Sequence, residues 1–405
     1  MVTMINDDLF SPDVIADPYT YFGHLREEDP VHWNTKYGVW IVTRYDDIVW
    51  LLRHPELFSS EVFKRDPRPP YPPIPETDVE LYTFVRDFFG DFFIQHDRPE
   101  HTEMRKVVHG YFTPKSQEKW RPMVRTVIKD LLDEAEAQGQ MDVMHDYATP
   151  LPVLVIAQML GMPRQDRQFI RDLAQKLLFI GRGEIDRMRP TAEGIKSLVE
   201  YLSPLVEKRL ANPGDDLLSV LASGEKTGAY SRDEVMANAV LLLLAGHETT
   251  INLICNGTLA FLRHPDQWAL LQRDPELAVR ATEECLRYDP PVKSLQRLAA
   301  QDVELRGKTI RELDRVRWFI PSANHDPEKF SEPERFDITR DPNPHIAFGS
   351  GIHHCLGATL ARLEGQEAFK ALTQRFGALH METEALEYQP SIVFRSLQTL
   401  PVTWN

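Results

Sequence analysis

Cysteine is scarce in this chain: three residues in 405, at positions 255, 285 and 355, far apart and odd in number. That excludes a disulfide framework and favours a reducing compartment. Long apolar runs are missing as well. The longest, "AVLLLLAG" (239–246), falls well short of the ~20 residues that span a bilayer. The N-terminus "MVTMINDDLFSPDVIADPY" is too acidic and polar for a signal peptide or a membrane anchor. Positive charge is in deficit, with 46 Lys and Arg against 61 Asp and Glu and a net charge of −15. A chain of that sign is not read as a binder of nucleic acid or of an anionic membrane. The expectation is a cytoplasmic globular protein.

The hydrophobic pattern predicts a mainly α fold with small β-sheets (α+β) in one domain, 1–405. The N-terminal part, about 1–60, reads as β-rich: "VHWN" and "VWIV" (31–42) look like two strands around a turn, with a helix through "YDDIVWLLRH". The prolines of "DPRPPYPPIPE" (66–76) exclude regular helix, because each removes a donor and restrains its predecessor. From about 97 to 290 the pattern is helical. Short strands are expected in 302–320, a helix over 356–376, and a β-like tail.

Four stretches carry chemistry. In "FGSGIHHCLG" (348–357) three metal-binding side chains stand in a row. Leu356, Leu360 and Leu363 follow at helical spacing, which places Cys355 at a helix N-terminus, where the dipole favours a thiolate. Gly349, Gly351 and Gly357 permit close approach of backbone or of a flat ligand to the sulphur. An inert buried cysteine is the usual alternative, and zinc lacks a full ligand set. A single thiolate suits a metal that brings its other ligands with it, as haem does.

"AVLLLLAGHETTINLI" (239–254) is apolar almost all round, hence a buried helix. Gly246, Glu248, Thr249 and Thr250 are a costly polar set inside it. They predict either a distortion facing a ligand, with Thr249 and Glu248 available for proton delivery, or a hydroxyl bonded back to its own helix. In "EECLRYDPP" (283–291), Glu284 and Arg287 share a helical face, with Arg335 of "PERF" as a further partner. In "HDRPEHTEMRKVV" (96–108), Asp97 and Glu100 fit a capping box, and His101 and Arg105 share a face that an anion would bridge.

Taken in order, His-x-x-x-Arg at 101–105, Ala-Gly-His-Glu-Thr-Thr at 245–250, Glu-x-x-Arg at 284–287 and Phe-Gly-x-Gly-x-His-x-Cys-Leu-Gly at 348–357 resemble the cytochrome P-450 superfamily. These are haem-thiolate monooxygenases, and the likeness is to the soluble bacterial type. The resemblance implies that fold, with haem b held between a long central helix and the proximal Cys loop. It implies Cys355 as the iron ligand and His101, Arg105, Arg297 and His353 as propionate ligands. Thr249 with Glu248 would serve oxygen activation and proton relay, and Glu284, Arg287 and Arg335 would form a charge cluster. One departure stands out: Arg-Glu-Leu-Asp (311–314) replaces the Pro-Ala-Gly that often follows the strand ending "TI".

The implied reaction inserts one atom of O2 into a small-to-medium hydrophobic substrate. Two electrons would come from a separate ferredoxin or flavodoxin with its NAD(P)H reductase, docking near Arg105, Lys106 and Arg362. A peroxide-driven hydroxylase and a non-catalytic haem carrier or sensor are the alternatives. The substrate pocket is expected from 66–95, including Phe84, Phe88, Phe89, Phe92 and Phe93, from Leu241–Thr249, from Val292, Ser294 and Leu295, and from Val393–Phe394.

Overall fold

A computed structural model describes residues 6–68, 74–166, 169 and 188–404. The N-terminal 60 residues, expected to be β-rich, hold three helices beside three short strands. These are α1 (Pro12–Ala16), α2 (Pro18–Glu28), α3 (Tyr45–Arg53), β1 (Val31–Asn34), β2 (Val39–Val42) and β3 (Phe58–Ser59). The helices arise where prolines open them, at the first position of α1 and α2, a place that tolerates the missing N–H. Part of the proline-rich stretch 66–76, namely 69–73, lies outside the described residues. Its start is tied down by Asp66, which receives Arg68 and Arg315.

The helical body follows: α4 (Val62–Arg65), α5 (Val79–Gly90), α6 (Glu100–His109), α7 (Pro114–Glu118), α8 (Arg121–Gln138), α9 (Pro150–Met159), α10 (Met188–Ala211), α11 (Leu217–Thr227), α12 (Arg232–Ala245), α13 (Glu248–Arg263), α14 (Pro265–Arg273) and α15 (Ala278–Tyr288). β4 (Gln140–Asp142) lies among them. After α15 come β5 (Ser294–Ala299), β6 (Val303–Leu305), β7 (Lys308–Ile310), β8 (Arg315–Phe319), α16 (Ile320–Asn324), α17 (Ala358–Arg375), β9 (Leu379–Met381) and β10 (Pro401–Trp404).

The main sheet runs β1-β2-β8-β5-β3, with only β2 and β8 parallel. Side chains alternate across it. Leu295, Arg297 and Trp318 line the cavity described below, whereas Arg317 bonds Ser294 Oγ and Gln296 Oε1. Between β7 and β8 the Arg-Glu-Leu-Asp turn puts Leu313 at φ 66°, a left-handed conformation that glycine adopts without strain.

The core is organised around α13, whose Thr250–Phe261 are all buried. The stretch Arg232–Arg263 is long and apolar enough to cross a membrane, but 78% of its apolar window is buried inside the protein. It is a core element here. The apolar run read as one helix is broken at Gly246–His247 and forms α12 and α13.

Candidate active site

The break between α12 and α13 faces the Cys loop across a cavity. Leu241, Leu242, Ala245, Gly246 and Thr249 line one wall. Phe348, Gly349, His353, Cys355 and Leu360 line the other, and Arg105 and Arg297 lie at its edge. At the break Thr249 Oγ donates to the Ala245 carbonyl at 2.8 Å. The helix is thus broken beside the cavity, and the hydroxyl bonds back to its own helix. Glu248 is buried in the first turn of α13.

The Cys loop is shaped by its own backbone. Cys355 N–H donates to Phe348 O (2.9 Å) and His354 N–H to Gly351 O (3.1 Å). Gly349 and Gly351 take φ of 69° and 72°, conformations costly for any residue with a Cβ. At Gly351 a Cβ would also lie 2.3 Å from the Leu52 carbonyl oxygen on α3. That glycine is therefore needed for packing against α3 as well as for the turn. Gly357 has an ordinary φ of −82°.

The Cys355 thiol is accessible from the cavity although it lies deep in the fold. That depth pushes its pKa up, and the N–H groups of Gly357 and Ala358 and the charges of Arg105 and Arg362 pull it down. Burial wins, so the helix start alone does not make the thiolate; a coordinated metal ion would deprotonate the thiol outright.

Near the Cys loop stands a cluster of donors only partly satisfied among the described residues. His101 is 1% exposed, and neither ring nitrogen has a partner among them. His353 packs against it with ring centroids 4.1 Å apart at 46°; its Nε2 meets Ser60 Oγ at 2.8 Å, and its Nδ1 has no partner among the described residues. Burial, followed by the nearby arginines, lowers His101 to about 4, and burial with Arg297 and His101 lowers His353 to about 2. Arg297 donates to the Gln296 carbonyl (2.9 Å) and lies on the Trp318 ring. Arg105 donates to the His354 carbonyl (2.6 Å). Two guanidinium groups and two imidazoles thus come together with no carboxylate among the described residues bonded to any of them, an arrangement suited to an anionic ligand. The residues fit haem: a flat macrocycle with two carboxylates on one edge and a metal that takes one thiolate.

Zinc does not fit. Among the described residues no group of three or more His, Cys, Asp and Glu is placed to hold a metal ion.

Two expectations are corrected. Asp97 does not cap α6 with its side chain; its carboxylate instead takes Ser60 N–H (2.8 Å) and Ser59 Oγ–H (2.5 Å). Arg335 is not the third member of the charge cluster. Its side chain is exposed and pairs with Glu332 and Asp337, while Arg340 reaches Glu284 at 3.3 Å. The Arg335 backbone carbonyl points inward instead and accepts from Arg287 and Arg340.

Of the five phenylalanines expected in the pocket, Phe93 lines the cavity. Phe88, Phe89 and Phe92 pack on one another. Val292 and Leu295 line it as expected. The sequence reading passed over Glu364 on α17, which is 1% exposed. Burial pushes its carboxyl up to about 8, with the Thr250 hydroxyl pulling the other way. Its only signal in sequence is an acidic residue on the apolar face of a helix, one position from Leu363.

The cytochrome P450 family model matches residues 276–398. The biotin biosynthesis cytochrome P450 of Bacillus subtilis is 34% identical over 399 residues, covering 98% of each chain. The 6-deoxyerythronolide B hydroxylase of Saccharopolyspora erythraea is 37% identical over 405 residues, again 98% of each. The crystal structure of CalO2 superposes with a TM-score of 0.91 at 33% identity, over 99% of both chains.

Proposed function

The chain belongs to the cytochrome P450 family of monooxygenases, and on that premise we propose that Cys355 would hold a b-type haem through its thiolate and that the protein hydroxylates a hydrophobic substrate. The balance is RH + O2 + 2 e⁻ + 2 H⁺ → ROH + H2O. The observation that carries this reading is the convergence on one cavity of the Cys355 thiol, the Arg105 and Arg297 guanidinium groups and His353, whose Nδ1 has no partner among the described residues and whose ring packs against His101.

Bound there, haem supplies dioxygen activation, which an electron-releasing thiolate ligand favours. The protein's own residues do the rest. Arg105, Arg297, His101 and His353 bind and orient the macrocycle through its carboxylates. Thr249 and Glu248, at the helix break, would deliver protons into the cavity. Leu241, Leu242, Ala245, Val292 and Leu295 present an apolar wall that excludes water and receives a small-to-medium hydrophobic molecule.

Electrons come from a separate ferredoxin or flavodoxin with its NAD(P)H reductase, docking on the Cys355 side near Arg105 and Lys106. Arg362 adds no free cation there, because Glu283 holds it by two bonds of 2.7 and 2.9 Å. An electron-transfer rate that falls with rising ionic strength is the expected signature of this docking.

The test is the spectrum of the reduced carbon monoxide adduct. The wild type should show the long-wavelength Soret band of thiolate ligation, and Cys355→Ser should lose it. A Soret band unchanged in Cys355→Ser would remove the assignment.

A further inference from the structure

We propose that Ser60 is a positioning residue for the haem carboxylates: it grips His353 by Nε2 and so presents Nδ1–H to the anion. The inference rests on the haem reading above, and it concerns a residue that lines neither the iron side nor the substrate side.

Ser60 is fully buried and held from two directions. It directly follows β3, whose Phe58 and Ser59 pair with Ala299 and Leu298 of β5, the strand that carries Arg297. Its backbone N–H donates to Asp97 Oδ1 (2.8 Å), while Asp97 Oδ2 takes the Ser59 hydroxyl. Asp97 stands just ahead of α6, and its carbonyl accepts the His101 N–H (2.8 Å). Ser60 thus sits at the junction of the elements that supply Arg297 and His101. From that junction its hydroxyl reaches His353 Nε2 at 2.8 Å.

The His353 ring is held from two sides: the tilted His101 ring packs against it at 4.1 Å, and Ser60 holds one nitrogen. The other nitrogen, Nδ1, is buried without a partner among the described residues, on a residue that lines the cavity. An anion at Nδ1 requires a proton there. A ring with one proton then has Nε2 as acceptor, and a serine hydroxyl is the donor that completes the arrangement. Outer partners of this kind select which nitrogen of a histidine faces a ligand. Ser60→Ala removes the donor at Nε2, so that nothing on that side of the ring holds the proton on Nδ1.

The experiment measures haem transfer from the holoprotein to excess apomyoglobin, with natural haem and with haem dimethyl ester, which lacks the carboxylate charges. Ser60→Ala should speed loss of natural haem by about tenfold, the worth of one hydrogen bond to a charged group, and leave loss of the ester unchanged. Ser60→Thr, which keeps the hydroxyl, should behave as wild type. Equal acceleration with both haems, or none with either, would overturn the proposal. An independent check on the wild type is 15N NMR of His353 in the diamagnetic ferrous carbon monoxide adduct: a proton on Nδ1 is expected, and a bare Nδ1 overturns the assignment. A wild type that takes up no haem would instead overturn the haem reading itself, an outcome distinct from either result with Ser60.

Discussion

The Glu284 carboxylate and the Arg287 guanidinium meet through two hydrogen bonds of 2.8 Å, and neither side chain has any exposure. Each charge finds further partners. Glu284 takes Asp337 N–H and Asn343 Nδ2, while Arg287 donates to the carbonyls of Asn324, Pro333 and Arg335. Removing one member of such a buried pair strands the other, at about 3–5 kcal/mol. Glu284→Ala should therefore lower the urea unfolding midpoint sharply. Arg335→Ala, removing an exposed side chain, should move it by less than ~1 kcal/mol. A large effect of Arg335→Ala would show that the cluster is built differently.

Gly351 and Gly349 share a left-handed backbone but differ in surroundings. A Cβ at Gly351 meets the Leu52 carbonyl at 2.3 Å, whereas at Gly349 it meets nothing within 4 Å. Gly349→Ala should cost on the order of 1–2 kcal/mol, the conformational penalty alone. Gly351→Ala should cost more, because α3 must also move away from the Cys loop. Thermal unfolding of the two variants side by side measures the difference.

Thr249→Ala removes the hydroxyl that spans the helix break. The expected outcome is continued NADH consumption with product per NADH reduced by ~10-fold or more, since positioned proton delivery contributes at least that much. Product and NADH counted together with a verified substrate decide it; unchanged coupling would argue against a role for Thr249 in proton delivery.

Glu364 makes stability depend on pH. Its carboxyl titrates at about 8 when folded, against 4.5 as the ordinary value. A raised folded pKa means that its stabilising share is complete below about pH 4.5 and is lost as pH rises through 8. Glu364→Gln carries no charge at any pH. The stability of this variant relative to wild type should climb between pH 4.5 and 8, by on the order of 5 kcal/mol, and level off above that. A difference that stays flat across this window would show that the carboxyl ionises freely inside the fold.

Much of the site was legible because it is local. Cys355, His353 and the flanking glycines lie within ten residues, and their spacing alone specifies a loop running into a helix. Thr249 and Glu248 interrupt an apolar run, and polar side chains in a buried helix are costly enough to announce a purpose. Strands β1 and β2 and helix α3 were equally plain from their period and the turn between them.

The rest depends on groups that sequence places far apart. Arg297 is an ordinary strand residue until β5 packs beside the Cys loop. Arg335 sits in a more conspicuous motif than Arg340, yet the backbone path turns the first to solvent and the second toward Glu284. Asp97 reads as a helix cap by spacing, but its carboxylate finds two donors at Ser59 and Ser60 once β3 lies alongside. Ser60 carries no local signal at all, and Glu364 only that of an acidic residue on an apolar helix face. By itself the sequence determined the elements and the chemistry offered within each, because helix period, turn backbone and side-chain type act over a few residues. Tertiary structure decided which charge meets which partner and which donors are left for a ligand, because those outcomes are set by burial and by distances across elements.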